Sequence, residues 1–89
     1  MEKSDRMLIQ ERAWDSFPAQ ELWYCNKTRG FLAFEKLDDE TLSLTTGTVF
    51  GNDLKYSTQQ VVRNDMEEYL EKFLESYREK GYECFGIAI

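Results

Sequence analysis

Apolar side chains between residues 41 and 82 recur with two different periods, and the change of period separates strands from a helix. Met66, Tyr69, Leu70, Phe73, Leu74 and Tyr77 fall at i, i+3, i+4, i+7, i+8 and i+11, a single stripe of a 3.6-residue spiral. Glu67, Glu68, Glu71, Lys72, Glu75, Ser76, Arg78 and Glu79 fill the remaining surface. Such a rod must lay its oily side on another element. Asn64 is the expected N-cap, Glu67 stands three residues later to return a hydrogen bond, and Asp65 adds negative charge at the positive dipole end. Gly81, after Arg78 and Lys80, supplies the stop. The main helix is therefore predicted over residues 65–80, about 24 Å long, enough to lie across a four-stranded sheet.

Ahead of it the pattern is that of strands. Thr41 to Phe50 carries Leu42 and Leu44 on one face, with Val49 out of phase, and Gly47 is where a bulge would absorb the slip. Gly51-Asn52 signals a type II′ hairpin into a strand from Leu54 to Val62. Glu21 to Thr28 and Phe31 to Leu37 suit two earlier strands joined by an Arg29-Gly30 turn, and Asp38-Asp39-Glu40 makes the next polar turn. Residues 1–6 read as a polar leader. Met7 to Ile9 fit either a strand or a first helical turn reaching Trp14, while Asp15-Ser16-Phe17-Pro18 reads as a loop around the single proline. Residues 82–89 read as a last strand or an apolar tail.

With 89 residues and a net charge of −6, the chain is expected to form one small α+β domain, an antiparallel sheet packed on one face by a single long C-terminal helix. Two Trp, five Tyr and six Phe support a real core and argue against disorder. No apolar run approaches the ~20 residues of a membrane span, and no basic start followed by an apolar segment marks a secretory signal. An intracellular, cytoplasmic location is the expectation. In that setting Cys25 and Cys84 read as reduced packing residues.

The order of elements resembles the WGR domain over roughly half to two thirds of the chain. Phe31-Leu32-Ala33-Phe34-Glu35-Lys36-Leu37-Asp38 is similar to that family's aromatic strand and acidic turn, Thr41-Leu42-Ser43-Leu44-Thr45 to the approach to its signature, and Glu79-Lys80-Gly81-Tyr82 to its helix exit. At the Trp-Gly-Arg signature this chain has Thr46-Gly47-Thr48, so the Gly is kept and the Trp and Arg are absent. The resemblance implies a module of the kind found in poly(ADP-ribose) polymerases and bacterial regulators, contacting DNA ends or neighbouring domains. Thr46 cannot stack as an indole, nor Thr48 replace a guanidinium, so that particular contact does not carry over. Arg29-Gly30-Phe31 also resembles the opening of the aromatic strand in RNA-recognition motifs, but Leu32, Ala33 and Lys36 depart from its later places.

Enzyme chemistry has little to build on. There is no histidine to shuttle protons, bind metal or activate either thiol, and no phosphate-cradling glycine loop. Neither a catalytic residue nor a cofactor is expected. Asp38-Asp39-Glu40 is better read as a hydrated turn than as a metal site, because adjacent acids point different ways. Binding is the expected work, in a regulatory or viral accessory role. One mechanism gathers Lys27, Arg29, Lys36, Lys55, Tyr56 and Arg63 on a sheet face that meets RNA or DNA by phosphate contact and stacking. Residues 22–63 hold five cations against five acids, so the acidity lies mainly outside them. The other mechanism docks Glu67, Glu68, Glu71, Glu75 and Glu79 on a basic partner protein, as an inhibitor occupying a nucleic-acid groove would.

Overall fold

The computed structural model describes residues 4–13 and 15–87; Trp14, to which the first apolar run was expected to lead, lies outside them. Its elements are α1 (Asp5–Arg12), β1 (Glu21–Cys25), β2 (Gly30–Lys36), β3 (Thr41–Phe50), β4 (Asp53–Val62), α2 (Met66–Glu79) and β5 (Glu83–Ile87). The five strands form one antiparallel sheet in the order β4-β3-β2-β1-β5. This α+β architecture differs from the expected one in having two helices, one on each face of the sheet. The reason is written in β1 and β2, whose Leu22-Trp23-Tyr24-Cys25 and Phe31-Leu32-Ala33-Phe34 are continuous buried runs that need cover on both sides.

On one side Leu8 and Ile9 of α1, with Phe17 and Ala19 of the following loop, pack on Leu22, Tyr24, Phe31, Ala33, Val49 and Leu54. On the other, Met66 is buried with Trp23, Leu32, Phe34, Leu42 and Leu44, and Tyr69, Leu70, Phe73, Leu74 and Tyr77 of α2 lie half-buried over them. The predicted stripe is therefore the packed one. Its aromatic members form a ladder, Tyr69 on Phe73 at 5.9 Å, Phe73 on Tyr77 at 4.7 Å, and Tyr77 edge-on to Tyr82 at 4.7 Å.

Two faces also explain Val49. No bulge interrupts β3, which pairs residue for residue with β4 from Thr41↔Val62 to Phe50↔Asp53. Val49 simply belongs to the α1 side, whereas Leu42 and Leu44 belong to the α2 side. Gly47 is needed for a different reason: a Cβ there would overlap the carbonyl oxygen of Lys55 and meet Tyr56 Cα at 2.7 Å. The hairpin between β3 and β4 turns as expected, with Gly51 at φ +62° and Asn52 not left-handed. In the β1–β2 turn it is Arg29, at φ +56°, that takes the left-handed conformation. Gly30 opens β2 instead, and the Tyr82 hydroxyl occupies the space its side chain would need.

Two terminal assignments are likewise corrected, and a third, left open between strand and tail, is decided. Asp5 and Arg6 belong to α1 and not to a polar leader, because the Ser4 hydroxyl accepts from the Met7 amide at 3.2 Å and caps that helix. At α2 the capping position is Asp65, not Asn64, and it makes no side-chain cap bond. Its carboxylate is held by the Arg63 guanidinium, with contacts of 2.7 and 3.0 Å. The last segment is a strand, β5, which returns along β1 after α2 has crossed the sheet.

Candidate functional site

The outer surface of α2 gathers one chemistry. At 100° per residue, Glu67, Glu71, Glu75, Glu68 and Glu79 fall within about a third of the helix circumference, and all five are exposed. Lys72 borders this arc beyond Glu79, whereas Arg78 projects within it, between Glu67 and Glu71 around the axis but further along the helix. Lys72 Nζ lies 3.1 Å from Glu68 Oε1, one turn away. Among the described residues the other four glutamates have no cation at ion-pairing distance. Glu67 and Glu68 sit in the first turn, where the helix dipole favours them, so the acidic face and helix stability agree.

Beside this arc runs a shallow groove of about 280 Å³, lined by Lys36, Glu67, Leu70, Glu71, Leu74 and Arg78. Its walls are the half-buried Leu70 and Leu74, with a carboxylate pair and one cation from each of β2 and α2 around them. Arg78 also lies over the Trp23 ring at 5.2 Å, which holds its guanidinium against the sheet. Sequence reasoning treated Leu70 and Leu74 as core and Arg78 as a helix-end charge. They stand at the margin of the apolar stripe, and a margin of leucines next to glutamates is the signal that was there to find.

The six residues expected to form a sheet-face site are not brought together. Consecutive Lys55 and Tyr56 point to opposite faces of β4, as strand alternation requires. Lys55 rests over Phe50 at 5.0 Å, whereas Tyr56 packs edge-on against Phe17 at 5.2 Å on the α1 side. Lys27 and Arg29 lie in the β1–β2 turn. Arg29 makes two 2.9 Å contacts to the Asp5 carboxylate, which also accepts from the Tyr24 hydroxyl. Lys36 and Arg63 are at the opposite end of the sheet, Lys36 in the groove and Arg63 clamped on Asp65 and over Tyr69 at 4.6 Å.

Electrostatics at these cations follow from their partners. The hydrogen bond from Arg29 holds Asp5 below the usual carboxylate range, and the bond from Arg63 does the same for Asp65. Burial first, then the Asp5 carboxylate, push the Tyr24 phenol up to about 12. Arg29 and Arg63 are raised by the same pairs. Each is thus partly neutralised within the chain.

Elsewhere the chemistry is sparse. Cys25 is buried and Cys84 exposed, and both are free thiols. In the acidic turn the Glu40 amide donates to Asp38 Oδ1 at 2.8 Å, and this bond chiefly lowers the Asp38 pKa. Among the described residues no three His, Cys, Asp or Glu side chains converge as metal ligands would. None of the described helices is long and apolar enough to cross a membrane. No family model, curated protein or solved structure matches this chain, so its candidate site is defined by its own geometry.

Proposed function

We propose that the chain is a non-enzymatic protein-binding module whose acidic α2 face docks on a basic partner. The observation that carries this reading is the contrast between five exposed glutamates on one face of one helix and six nucleic-acid candidates divided among both ends and both sides of the sheet. A net charge of −6 steers a cationic surface toward the molecule, and the groove beside the glutamates gives the encounter an anchor. An arginine or lysine of the partner would lay its apolar stem on Leu70 and Leu74 and place its charge between Glu67 and Glu71. Lys36 and Arg78 border that groove and would select against a partner whose own contact is uniformly basic.

This is the inhibitor-like mode, in which acidic side chains occupy a surface that otherwise holds phosphates. Direct nucleic-acid binding of the kind the WGR resemblance implies retains only local support, since Lys55 over Phe50 and Arg63 over Tyr69 are separate cation–aromatic pairs, and Arg63 is already held by Asp65. The test is capture from nuclease-treated host lysate alongside anisotropy with a labelled arginine-rich peptide and with single- and double-stranded oligonucleotides. Peptide and captured protein are expected to be lost together in Glu71→Lys/Glu75→Lys and weakened by salt, with no oligonucleotide binding. Retention of the partner by that variant, or oligonucleotide binding abolished by Lys55→Glu, would overturn the reading.

A further inference from the structure

β4 closes the sheet on one side, and the way it does so is unusual for an edge. It is ten residues long and its register against β3 is unbroken. From Tyr56 to Val62 the sequence Tyr-Ser-Thr-Gln-Gln-Val-Val holds no charge and no proline. Exposed edges are ordinarily blunted by a charge, a proline, a bulge or a covering segment, because their unpaired backbone groups template another strand. Here the charges are Asp53 and Lys55 at the start of the strand and Arg63 just past its end, leaving the seven residues between uncharged. Asp53 begins the strand and Arg63 follows it, while Val62 is 68% exposed.

We propose that β4 pairs antiparallel with β4 of a second copy, about a two-fold axis through Thr58, to give a continuous ten-stranded sheet. An axis normal to the sheet returns each face to itself, so opposed residues must share a face and their numbers must sum to an even value. Charge then selects among the allowed registers. Centred on Thr58, Asp53, which holds Arg12 of its own chain at 2.8 Å, faces Arg63 of the other copy, which holds its own Asp65 at 2.7 Å, so the two pairs join in a network of alternating sign. Leu54 faces Val62, Lys55 faces Val61, Tyr56 faces Gln60 and Ser57 faces Gln59, each contact made twice. Centring the axis on Gln59 sets Lys55 against Arg63, a like-charge clash. Centring it on Ser57 moves Asp53 to Val61 and Leu54 to Gln60, losing both the ionic and the apolar match. Thr58 is exposed and its hydroxyl bonds Thr45 within the chain, at 2.8 Å, so its backbone edge is the part left to the second copy. The glutamate arc of α2 is not used, and the two surfaces are independent.

The test is sedimentation equilibrium of the full chain from micromolar to millimolar concentration. The mass is expected to rise from 10.6 kDa toward twice that value. Thr58→Lys confronts its own charge across the axis and should weaken association at least about tenfold while circular dichroism stays that of the folded chain. In a Cys84→Ser background, Thr58→Cys should cross-link to a dimer with oxidised glutathione. Gln60→Cys should not, because its two copies would lie about 14 Å apart, beyond disulfide reach. A wild-type mass constant at 10.6 kDa, a Thr58→Lys dimer as tight as wild type, or equal cross-linking at Gln60 would overturn the proposal.

Discussion

Replacing Ile9 by alanine tests whether α1 is an integral second layer. Ile9 is fully buried, 0% exposed, in the cluster with Leu22, Tyr24, Phe31 and Val49, whereas Met7, two residues earlier on the same helix, is 50% exposed. The substitution removes three carbons, which at about 0.8 kcal/mol each is roughly 2.4 kcal/mol of lost transfer energy. The cavity left between a short helix and a stiff sheet adds up to about 1 kcal/mol, so the expected loss is near 3 kcal/mol. For 89 residues the total stability is on the order of 4–13 kcal/mol, so this is a large share of it. With a urea slope of about 1–1.5 kcal/mol per molar, the midpoint should fall by about 2–3 M. Met7→Ala should stay within about 0.5 kcal/mol of wild type, and Ile9→Val should cost about 1 kcal/mol. Urea unfolding followed by fluorescence and circular dichroism measures all three. If Ile9→Ala and Met7→Ala unfold at the same midpoint as wild type, α1 does not pack on the sheet and the two-faced reading is wrong.

Two further expectations concern backbone and pH. Gly47→Ala forces the β3 and β4 backbones apart and should cost at least about 2–3 kcal/mol, while Gly51→Ala, in open space but left-handed, should cost about 1 kcal/mol. Equal urea midpoints for the two would refute the close approach at Gly47. Asp5 is depressed in the fold, chiefly by Arg29, so its contribution is present above the ordinary carboxylate range and fades as acid protonates it. Tyr24 is raised from 10.0 to about 12, so its contribution is whole below pH 10 and lost between there and pH 12. Melting temperature against pH should therefore fall at both extremes. Asp5→Asn should flatten the acid limb and let one late-ionising tyrosine titrate earlier in ultraviolet absorbance; a wild-type titration with no late tyrosine would contradict the Tyr24–Asp5 contact.

The parts of the fold that were legible are those where one period dominates. The α2 stripe, the β3–β4 hairpin and its Gly51 turn all follow from spacing and turn chemistry. What stayed open was α1, which fitted strand or first helical turn, because Met7-Leu8-Ile9 is a contiguous triplet with no helical repeat, and only two of the residues of α1 are buried. Ser4 three residues before Met7, with Asp5 in the first turn and Arg12 in the last, was the available capping signal. The second layer was also written in the continuous apolar runs of β1 and β2, where a one-faced sheet would alternate. Within the site, the glutamates were found because helical spacing places them on one arc. The cations were grouped by their neighbours along the chain, yet adjacent strand residues such as Lys55 and Tyr56 diverge, and Asp5 and Asp65 capture the arginines from segments distant or across a turn.

β5 lies beside β1, so the residue pair Leu22 and Gly86 must meet across more than sixty intervening positions before β1 is paired on both of its sides. A growing polypeptide that has not yet released Glu83–Ile87 carries β1 with one row of amides and carbonyls unmatched, next to the indole of Trp23 and the ring of Tyr24. Chains stopped short of Glu83 should therefore be sticky through β1, and attachment of the five-residue ribbon Glu83–Ile87 is the step that pairs its open row.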